Sequence, residues 1–285
     1  MDIVDSHCHI LAEDTETYPR APLGGTHSSW STARPVTAEG LLERMDAIGI
    51  AQAVLVQATT AYGYDNSYVL DAAARHPNRF VAVGTFDPLQ EQAGDRLRAV
   101  VDQGLSGVRL FTTGSTVSEQ GLWFADDATD DFWSAAARTS IPVCLQLRLG
   151  DDTAPVLAGL LQRHPDAVIL LDHCGYADVR ASLSGAAESL TRLADQPGLH
   201  LKLTHRTLEG LDDVRDRAPE FLLPVIEAFG SRRIAWGSNC PAAEQPLDEL
   251  LALAQRVLEP SLTEQITADI LGNTARRLYP ALASR

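Results

Sequence analysis

Short apolar runs recur along this chain, mostly 25 to 35 residues apart, and this spacing limits the fold more than any other feature. Helical patterns separate the runs, and the apolar character within a run is continuous rather than alternating, as in strands covered on both faces. The pattern predicts a single domain over residues 1–285, a (β/α)8 TIM-type barrel of the α/β class. The predicted strands are IVDSH at 3–7, AQAVLVQA at 51–58, FVAVGTF at 80–86, SGVRLF at 106–111, IPVCLQL at 141–147, AVILLDH at 167–173, LHLKLT at 199–204 and RIAWGS at 233–238.

Two connections in this pattern are longer than a barrel needs. The first runs from about residue 11 to 35 and the second from about 112 to 130, and each follows the carboxyl end of a predicted strand. Active sites of such barrels lie at that end. We expect both loops to lie over the mouth of the barrel and to wall a pocket, although ordinary surface loops would have the same length.

The charge balance limits the partners that the chain can take. Its formal net charge is -15 at pH 7, whereas phosphate binding needs clustered Lys and Arg. We therefore expect no nucleic acid and no membrane as partner, and a small molecule as substrate. A homo-oligomer remains open.

The N-terminus and the cysteines bear on the compartment. MDIVDSHCHI has acidic residues where a signal peptide has basic ones, and no apolar run approaches the roughly 18 residues that span a membrane. These features predict a cytoplasmic protein. The cysteines lack CxxC spacing and are interpreted as free thiols; they are Cys8, Cys144, Cys174 and Cys240.

The segment DSHCHI carries the strongest functional signal. His7 and His9 are two residues apart, so on a strand both side chains point into the barrel if Cys8 and Ile10 point outward. Two imidazoles from one strand end serve either as metal ligands or as hydrogen-bond donors to one oxygen. His173 ends the sixth predicted strand, and this matching position favours one shared site over unrelated core histidines.

Further motifs follow in order along the chain: YPRAPL, NSYVLDAAARHPNRFVAVGTFDP, GVRLF, IPVCLQ, LDHCG, LKLT, WGSNCP and ILGNTARRLYP. With DSHCHI they resemble the amidohydrolase superfamily over nearly the whole chain. The similarity is to the amidohydrolase-related (amidohydrolase 2) branch, which contains lactonases such as 2-pyrone-4,6-dicarboxylate lactonase and 4-sulfomuconolactone hydrolase. The resemblance implies a barrel in which His7, His9 and His173 polarise a lactone carbonyl without a metal.

The eighth predicted strand leads to Asn239, where the resemblance implies an aspartate that activates water. An amide cannot take that proton, because its nitrogen has no basic lone pair. Three interpretations stay open. They are an introduced Asp→Asn substitution that traps a substrate, a different base such as His205 or His27, and a barrel that binds without turnover.

The resemblance also extends to metal-dependent relatives, in which the histidine pair and the aspartate bind a divalent metal with a histidine from the fifth strand. Gln146 stands at that last position here. An amide thus replaces an anion, and a glutamine, a poor zinc ligand, replaces a histidine. We favour no bound cofactor; Zn or Mn held by His7, His9, His173 and Asn239 is the alternative.

Basic and aromatic residues near the predicted mouth are candidates for substrate binding. Arg109 points inward if Val108 and Leu110 point outward, and its planar fork fits a carboxylate. An internal salt bridge is the other common role of a buried arginine. The remaining candidates are Gln146, Arg148, Lys202 and His205 near strand ends, and Tyr18, His27 and Trp30 in the first loop.

Three hypotheses for the function follow from these residues. The first is a hydrolase that opens a small, carboxylated lactone, with His7, His9 and His173 as electrophiles and the base at position 239. The second is a metal-dependent hydrolase or decarboxylase on the same barrel. The third is a catalytically silent barrel that binds a metabolite in a biosynthetic pathway.

Overall fold

The computed structural model describes residues 2–113, 117 and 120–283, in which eight parallel strands form one barrel. Each strand pairs with the next in chain order. All of them begin and end within two residues of the predicted runs, so the predicted (β/α)8 barrel is confirmed. The strands are β1 (Ile3–Cys8), β2 (Ile50–Val56), β3 (Phe80–Thr85), β4 (Leu105–Phe111), β5 (Val143–Gln146), β6 (Ile169–Leu171), β7 (Leu199–Thr204) and β8 (Ile234–Gly237).

The helices of eight residues or more cover the outside of the barrel, each with one apolar face turned inward. In α11, for example, Leu250, Ala254 and Val257 are buried at helical spacing. The helices are α1 (Trp30–Ala33), α2 (Ala38–Ile48), α3 (Thr59–Tyr62), α4 (Ser67–Arg75), α5 (Ala93–Asp102), α6 (Asp130–Thr139), α7 (Ala154–Arg163), α8 (Leu183–Thr191), α9 (His205–Asp212), α10 (Pro219–Phe229), α11 (Leu247–Leu258), α12 (Glu264–Ala268), α13 (Thr274–Leu278) and α14 (Pro280–Ala283).

The interior of the barrel contains an apolar cluster and a polar region. Val4, Val81 and Leu170 pack together inside the barrel, and Tyr279 from the C-terminal segment joins the same cluster. Several buried polar and charged side chains, among them Arg109, Gln146 and His173, lie near the carboxyl ends of the strands. This separation places the chemistry of the molecule at the barrel mouth.

The two long connections both contain short helical segments. The first contains α1, and the second contains single turns of helix at Trp123–Ala125 and Asp127–Thr129. Residues 114–116 and 118–119 of the second connection lie outside the described part of the chain. Within the described ranges, no helix has both the length and the apolar character needed to cross a bilayer.

A buried carboxylate joins the first and last strands of the barrel. Oδ1 of Asp5 accepts hydrogen bonds from the backbone N–H of His7 at 3.0 Å and of Ser238 at 2.9 Å. Beyond this point the backbone N–H of Asn239 donates to the carbonyl of His7 at 2.7 Å. These bonds fix the end of β8 against the histidine pair of β1.

Asp5 affects stability in two ways: its buried charge is unfavourable, and its Oδ1 accepts two hydrogen bonds. We expect two substitutions of Asp5 to separate these effects. Burial raises the pKa of Asp5 from 3.8 to about 6, although hydrogen bonds from Ser238 and His7 oppose the rise. A raised pKa contributes stability below about pH 3.8, and this contribution is lost as pH rises through about 6. The Asp5→Asn variant, which keeps the oxygen acceptor, should therefore gain about 2 kcal/mol relative to the parent between pH 4 and pH 7.5.

The matched variant Asp5→Ala removes the acceptor itself. Two buried N–H groups then lack a partner, at a cost of about 1–3 kcal/mol each, at either pH. Urea unfolding of the three proteins at both pH values measures these differences. A free-energy difference between Asp5→Asn and the parent that does not change with pH would contradict the assignment.

Candidate active site

A cavity of about 110 Å³ lies at the carboxyl ends of the strands, where the sequence predicts the site. Two arginines line it, and none of the described residues that line it is a carboxylate. The cavity therefore presents positive and neutral groups, although the chain as a whole carries a net charge of -15. Its lining residues are His9, Ser28, Trp30, Ala58, Thr59, Thr60, Arg109, Phe111, Gln146, His173, Tyr176, Arg206, Asn239 and Ala242.

The structure brings half of the sequence-predicted site residues together around this cavity. The ones that line it are His9, Trp30, Arg109, Gln146, His173 and Asn239. The others do not line it: His7, Lys202, His205, Arg148, Tyr18 and His27.

The residues outside the lining have other contacts. The Tyr18 hydroxyl donates to Asp71 at 2.7 Å, and His27 is exposed with Nδ1 3.1 Å from the carbonyl of Thr60. Arg148 is exposed, and its guanidinium lies 4.8 Å from the ring centre of Tyr176. These contacts hold the first loop and the rim of the mouth in place.

His205 begins α9 and is buried, 7% exposed, without lining the cavity. Burial, with a smaller effect of the neighbouring Arg206, lowers the pKa of His205 to about 4. The imidazole is therefore neutral at pH 7 and separated from the cavity.

A buried ion cluster lies beneath the cavity. Asp172, which follows β6, is 2.9 Å from Nζ of Lys202 and 2.9 Å from Nε of Arg109. Burial opposes ionisation of Asp172, but the charges of Lys202 and Arg109 outweigh it and hold the pKa of the carboxyl well below 3.8. Two cations and one anion leave one net positive charge in this cluster, of which Arg109 lines the cavity and Lys202 does not.

His7 belongs to this cluster and is fully buried. Its Nδ1 lies 3.1 Å from the ammonium of Lys202 and 3.6 Å from Asp172. Burial, followed by the charge of Lys202, lowers the pKa of His7 well below 6.5, so the ring is neutral. An ammonium only donates hydrogen bonds, so Nδ1 is the acceptor and Nε2 carries the proton.

His9 has the opposite arrangement. Its Nδ1 lies 2.8 Å from the carbonyl of Val56, and its Nε2 lies 3.3 Å from Oδ1 of Asn239. The Trp30 ring stacks on the imidazole with the centroids 5.3 Å apart. Burial, followed by the charge of Arg109, lowers the pKa of His9 to about 4. A neutral His9 is therefore present at pH 7, held on one face by an aromatic ring.

His173 lies in a backbone segment of unusual shape. His173, Cys174, Gly175 and Tyr176 have φ values of 56, 49, 61 and 58°, all in the left-handed region. Such conformations cost free energy in residues other than glycine and gather at functional sites. The segment turns the His173 ring into the cavity, where its Nδ1 lies 2.8 Å from Oγ1 of Thr204.

The sequence interpretation missed several residues of the site. Asp172 directly precedes the left-handed segment and Tyr176 ends it, and the LDHCG motif contained Asp172 as a visible acidic signal. Tyr176 accepts a hydrogen bond from Nε2 of Gln146 at 2.8 Å. Arg206 follows β7 and lines the rim. Neither Tyr176 nor Arg206 stands in a sequence pattern that indicates a catalytic or binding role.

The donor set does not fit a divalent metal. In the described residues, no group of three or more His, Cys, Asp or Glu side chains is arranged to hold an ion. The carboxylate of Asp172 already faces Lys202 and Arg109, and Asn239 is uncharged. A dication would therefore meet a buried ammonium and a guanidinium, with no carboxylate among the described residues that line the cavity.

A parallel barrel with a histidine-lined cavity at the carboxyl ends of its strands is the arrangement of a barrel enzyme. The chain belongs to the amidohydrolase family, whose model matches residues 4–281. The family predicted from the motifs is thereby confirmed, and the protein is a hydrolase of this type.

Individual relatives are distant in sequence. The L-fucono-1,5-lactonase of Burkholderia ambifaria is 24% identical over 253 residues, 84% of this chain and 80% of the relative. A protein of Pseudomonas putida, provisionally named a 2-pyrone-4,6-dicarboxylic acid hydrolase, has a similar structure, with a TM-score of 0.77, 22% identity and 98% of each chain covered. A Burkholderia multivorans amidohydrolase with bound zinc has a TM-score of 0.72 and 23% identity, covering 98% of this chain and 99% of its own.

Proposed function

We propose that this protein is a hydrolase that opens a small lactone bearing a carboxylate, and that it does so without a resident metal. The observation that carries the proposal is the cavity itself, which joins neutral histidines to arginines at the barrel mouth. The names of two relatives support the substrate class, because one is a lactonase and the other is named for a dicarboxylic acid.

The charge of the site favours an anionic substrate. The ion cluster, of which Arg109 lines the cavity, has one net positive charge, and Arg206 lines the cavity as an exposed residue. A net charge of -15 repels anions at long range, so attraction depends on these nearby groups. A carboxylate near Arg206 would leave the ring ester deeper in the cavity, beside the histidines.

Opening a cyclic ester needs stabilisation of the oxyanion and a group that accepts a proton from water. Arg109 is suited to the first role, because it lines the cavity, is 4% exposed and is held by Asp172 and Gln146. His173 assists when Thr204 donates to its Nδ1, since its Nε2–H then points into the cavity. These groups are fixed before the substrate binds, which is what makes such stabilisation effective.

Ring-opening assays on γ- and δ-lactones, each with and without a carboxylate and all with a chelator present, test the proposal. We expect turnover of carboxylated lactones, and Arg206→Met should raise their KM about tenfold because one charge-assisted contact is lost. The KM for neutral lactones should stay within about twofold of the parent value.

Arg232 provides the matched control, because it is an exposed arginine in the turn before β8, at the other end of the barrel. Arg232→Met should leave both KM values unchanged. Absence of ring opening with every lactone, in the parent and in Asn239→Asp, would refute the proposed function. Turnover that disappears with the chelator would refute the metal-free part alone.

A further inference from the structure

We propose that His9 is the general base of this site and that Asn239 supports it, so the chain does not need the carboxylate that position 239 lacks. The inference rests on the proposed function and adds a catalytic role that motif and composition do not assign. It follows from the hydrogen-bond partners of His7, in β1, and of His9, directly after β1.

The tautomer of His9 is set by the backbone. A carbonyl oxygen only accepts hydrogen bonds, so the 2.8 Å contact with Val56 requires the proton to be on Nδ1. In a neutral ring Nε2 then has a free lone pair. Because His9 lines the cavity and its Nδ1 is engaged, Nε2 is the atom available to take a proton from water.

His7 is held in the other tautomer and cannot share this role. The ammonium of Lys202 requires its Nδ1 to accept, so its Nε2 carries the proton and has no lone pair for a proton from water. The ring is fully buried and packs edge-on against His9, with the centroids 4.9 Å apart. His7 is therefore a positioning residue for His9, although the spacing of the pair alone makes the two look equivalent.

Other candidate bases are less well placed. Asp172 is paired with two cations, and neither His205 nor His27 lines the cavity. His173 does line it, but its Nδ1 faces the hydroxyl of Thr204, which can donate or accept, so nothing fixes a lone pair on the cavity side.

Asn239 suits a neighbour that gains and loses a proton. A neutral Nε2 and the amide Oδ1 are both acceptors, so their 3.3 Å contact becomes a hydrogen bond only when Nε2 is protonated. The amide thus stabilises the imidazolium that proton transfer creates. A 180° rotation of the Asn239 amide group would bring Nδ2–H to Nε2 of the neutral ring. Asn239 can therefore form a hydrogen bond with His9 in both its neutral and its protonated state.

The reaction balances with water as the only co-reactant. Nε2 of His9 takes one proton from water while the oxygen bonds to the lactone carbonyl carbon, giving a tetrahedral oxyanion. Collapse of this intermediate breaks the ring C–O bond, and the leaving alkoxide takes the proton back from Nε2. The product is a hydroxy acid, which releases one proton to solvent, and His9 is again neutral.

His9→Asn tests this role, because the shorter amide can still donate to the carbonyl of Val56 but has no basic nitrogen. In the parent background we expect kcat to fall about 10²- to 10⁴-fold, the usual contribution of a general base, with KM within about threefold. In an Asn239→Asp background the new carboxylate can act as base, so the same His9→Asn change should lower kcat less than about tenfold. Activity of the double variant also shows that His9→Asn folds.

The outcomes separate the two proposals. An equal fold-loss of kcat in both backgrounds would overturn the base assignment and leave the proposed function standing, as would a loss confined to KM. Ring opening by Asn239→Asp with none by the parent would likewise overturn the assignment of His9. If neither protein opens any lactone, the proposed function fails, and the role of His9 fails with it.

Discussion

Replacing Asp172 with asparagine is expected to lower the free energy of unfolding by about 3–5 kcal/mol. Asp172 is fully buried and is the carboxylate that compensates Lys202 and Arg109 in the ion cluster. An amide of the same shape leaves two buried cations with no counter-charge. The loss should be visible as a lower denaturation midpoint in urea.

A double-mutant cycle measures the interaction free energy between Asp172 and Lys202. Lys202→Met should also destabilise, because Asp172 then keeps only Arg109 as a charged partner in the cluster. The double variant Asp172→Asn/Lys202→Met should cost less than the sum of the two, since the uncompensated ammonium is gone. Strictly additive losses would contradict a direct interaction between the two side chains.

An exposed ion pair is the control for this cycle. Glu220 and Arg217 form a bidentate pair at the surface, with both side chains largely in solvent. Glu220→Gln should leave the midpoint unchanged, because solvent screens such pairs. The contrast tests whether burial, and not pairing as such, makes Asp172 important.

Gly237→Ala is expected to lower kcat about 100-fold. A Cβ at this position would lie 2.5 Å from Cβ of His7 and 3.0 Å from its backbone nitrogen, so β8 and β1 must move apart. Misplacement of active-site groups by about 1 Å can cost a factor of this size. Overpacking should also destabilise the fold by about 1–3 kcal/mol.

Gly159 offers the matched control within α7. A Cβ there meets nothing within 4 Å, and the residue lies inside a helix. Gly159→Ala should stabilise the protein by about 0.5–1 kcal/mol and leave kcat unchanged. If Gly237→Ala keeps the kcat of the parent, close contact between β8 and His7 is not required for activity.

Asp172→Asn and Gly237→Ala both change the surroundings of His7. Lys202 and Asp172 set the tautomer and charge around His7, whereas Gly237 lets the last strand approach it. The histidine pair therefore depends on groups that never touch the cavity.

The sequence by itself determined the barrel and the place of the site. Continuous apolar runs indicate strands because both faces of a parallel strand are buried, so consecutive residues of the strand are apolar. The ends of the runs then bring His9, His173 and Asn239 to the same mouth, since parallel strands share one carboxyl end. The positions of these residues at the ends of the predicted strands are enough to predict that they lie at the same mouth.

Only the tertiary structure decided what the individual residues can do. The tautomer of His9 depends on Val56, 47 residues away, and that of His7 on Lys202, 195 residues away. Sequence spacing cannot reveal such partners, because they meet only when the barrel closes. For the same reason Tyr18 and His27 lay outside the cavity lining although their loop reached the mouth, and Lys202 lay beneath it as a counter-ion. Hydrogen-bond direction and buried charge are properties of these distant contacts, and they determine which imidazole donates and which accepts.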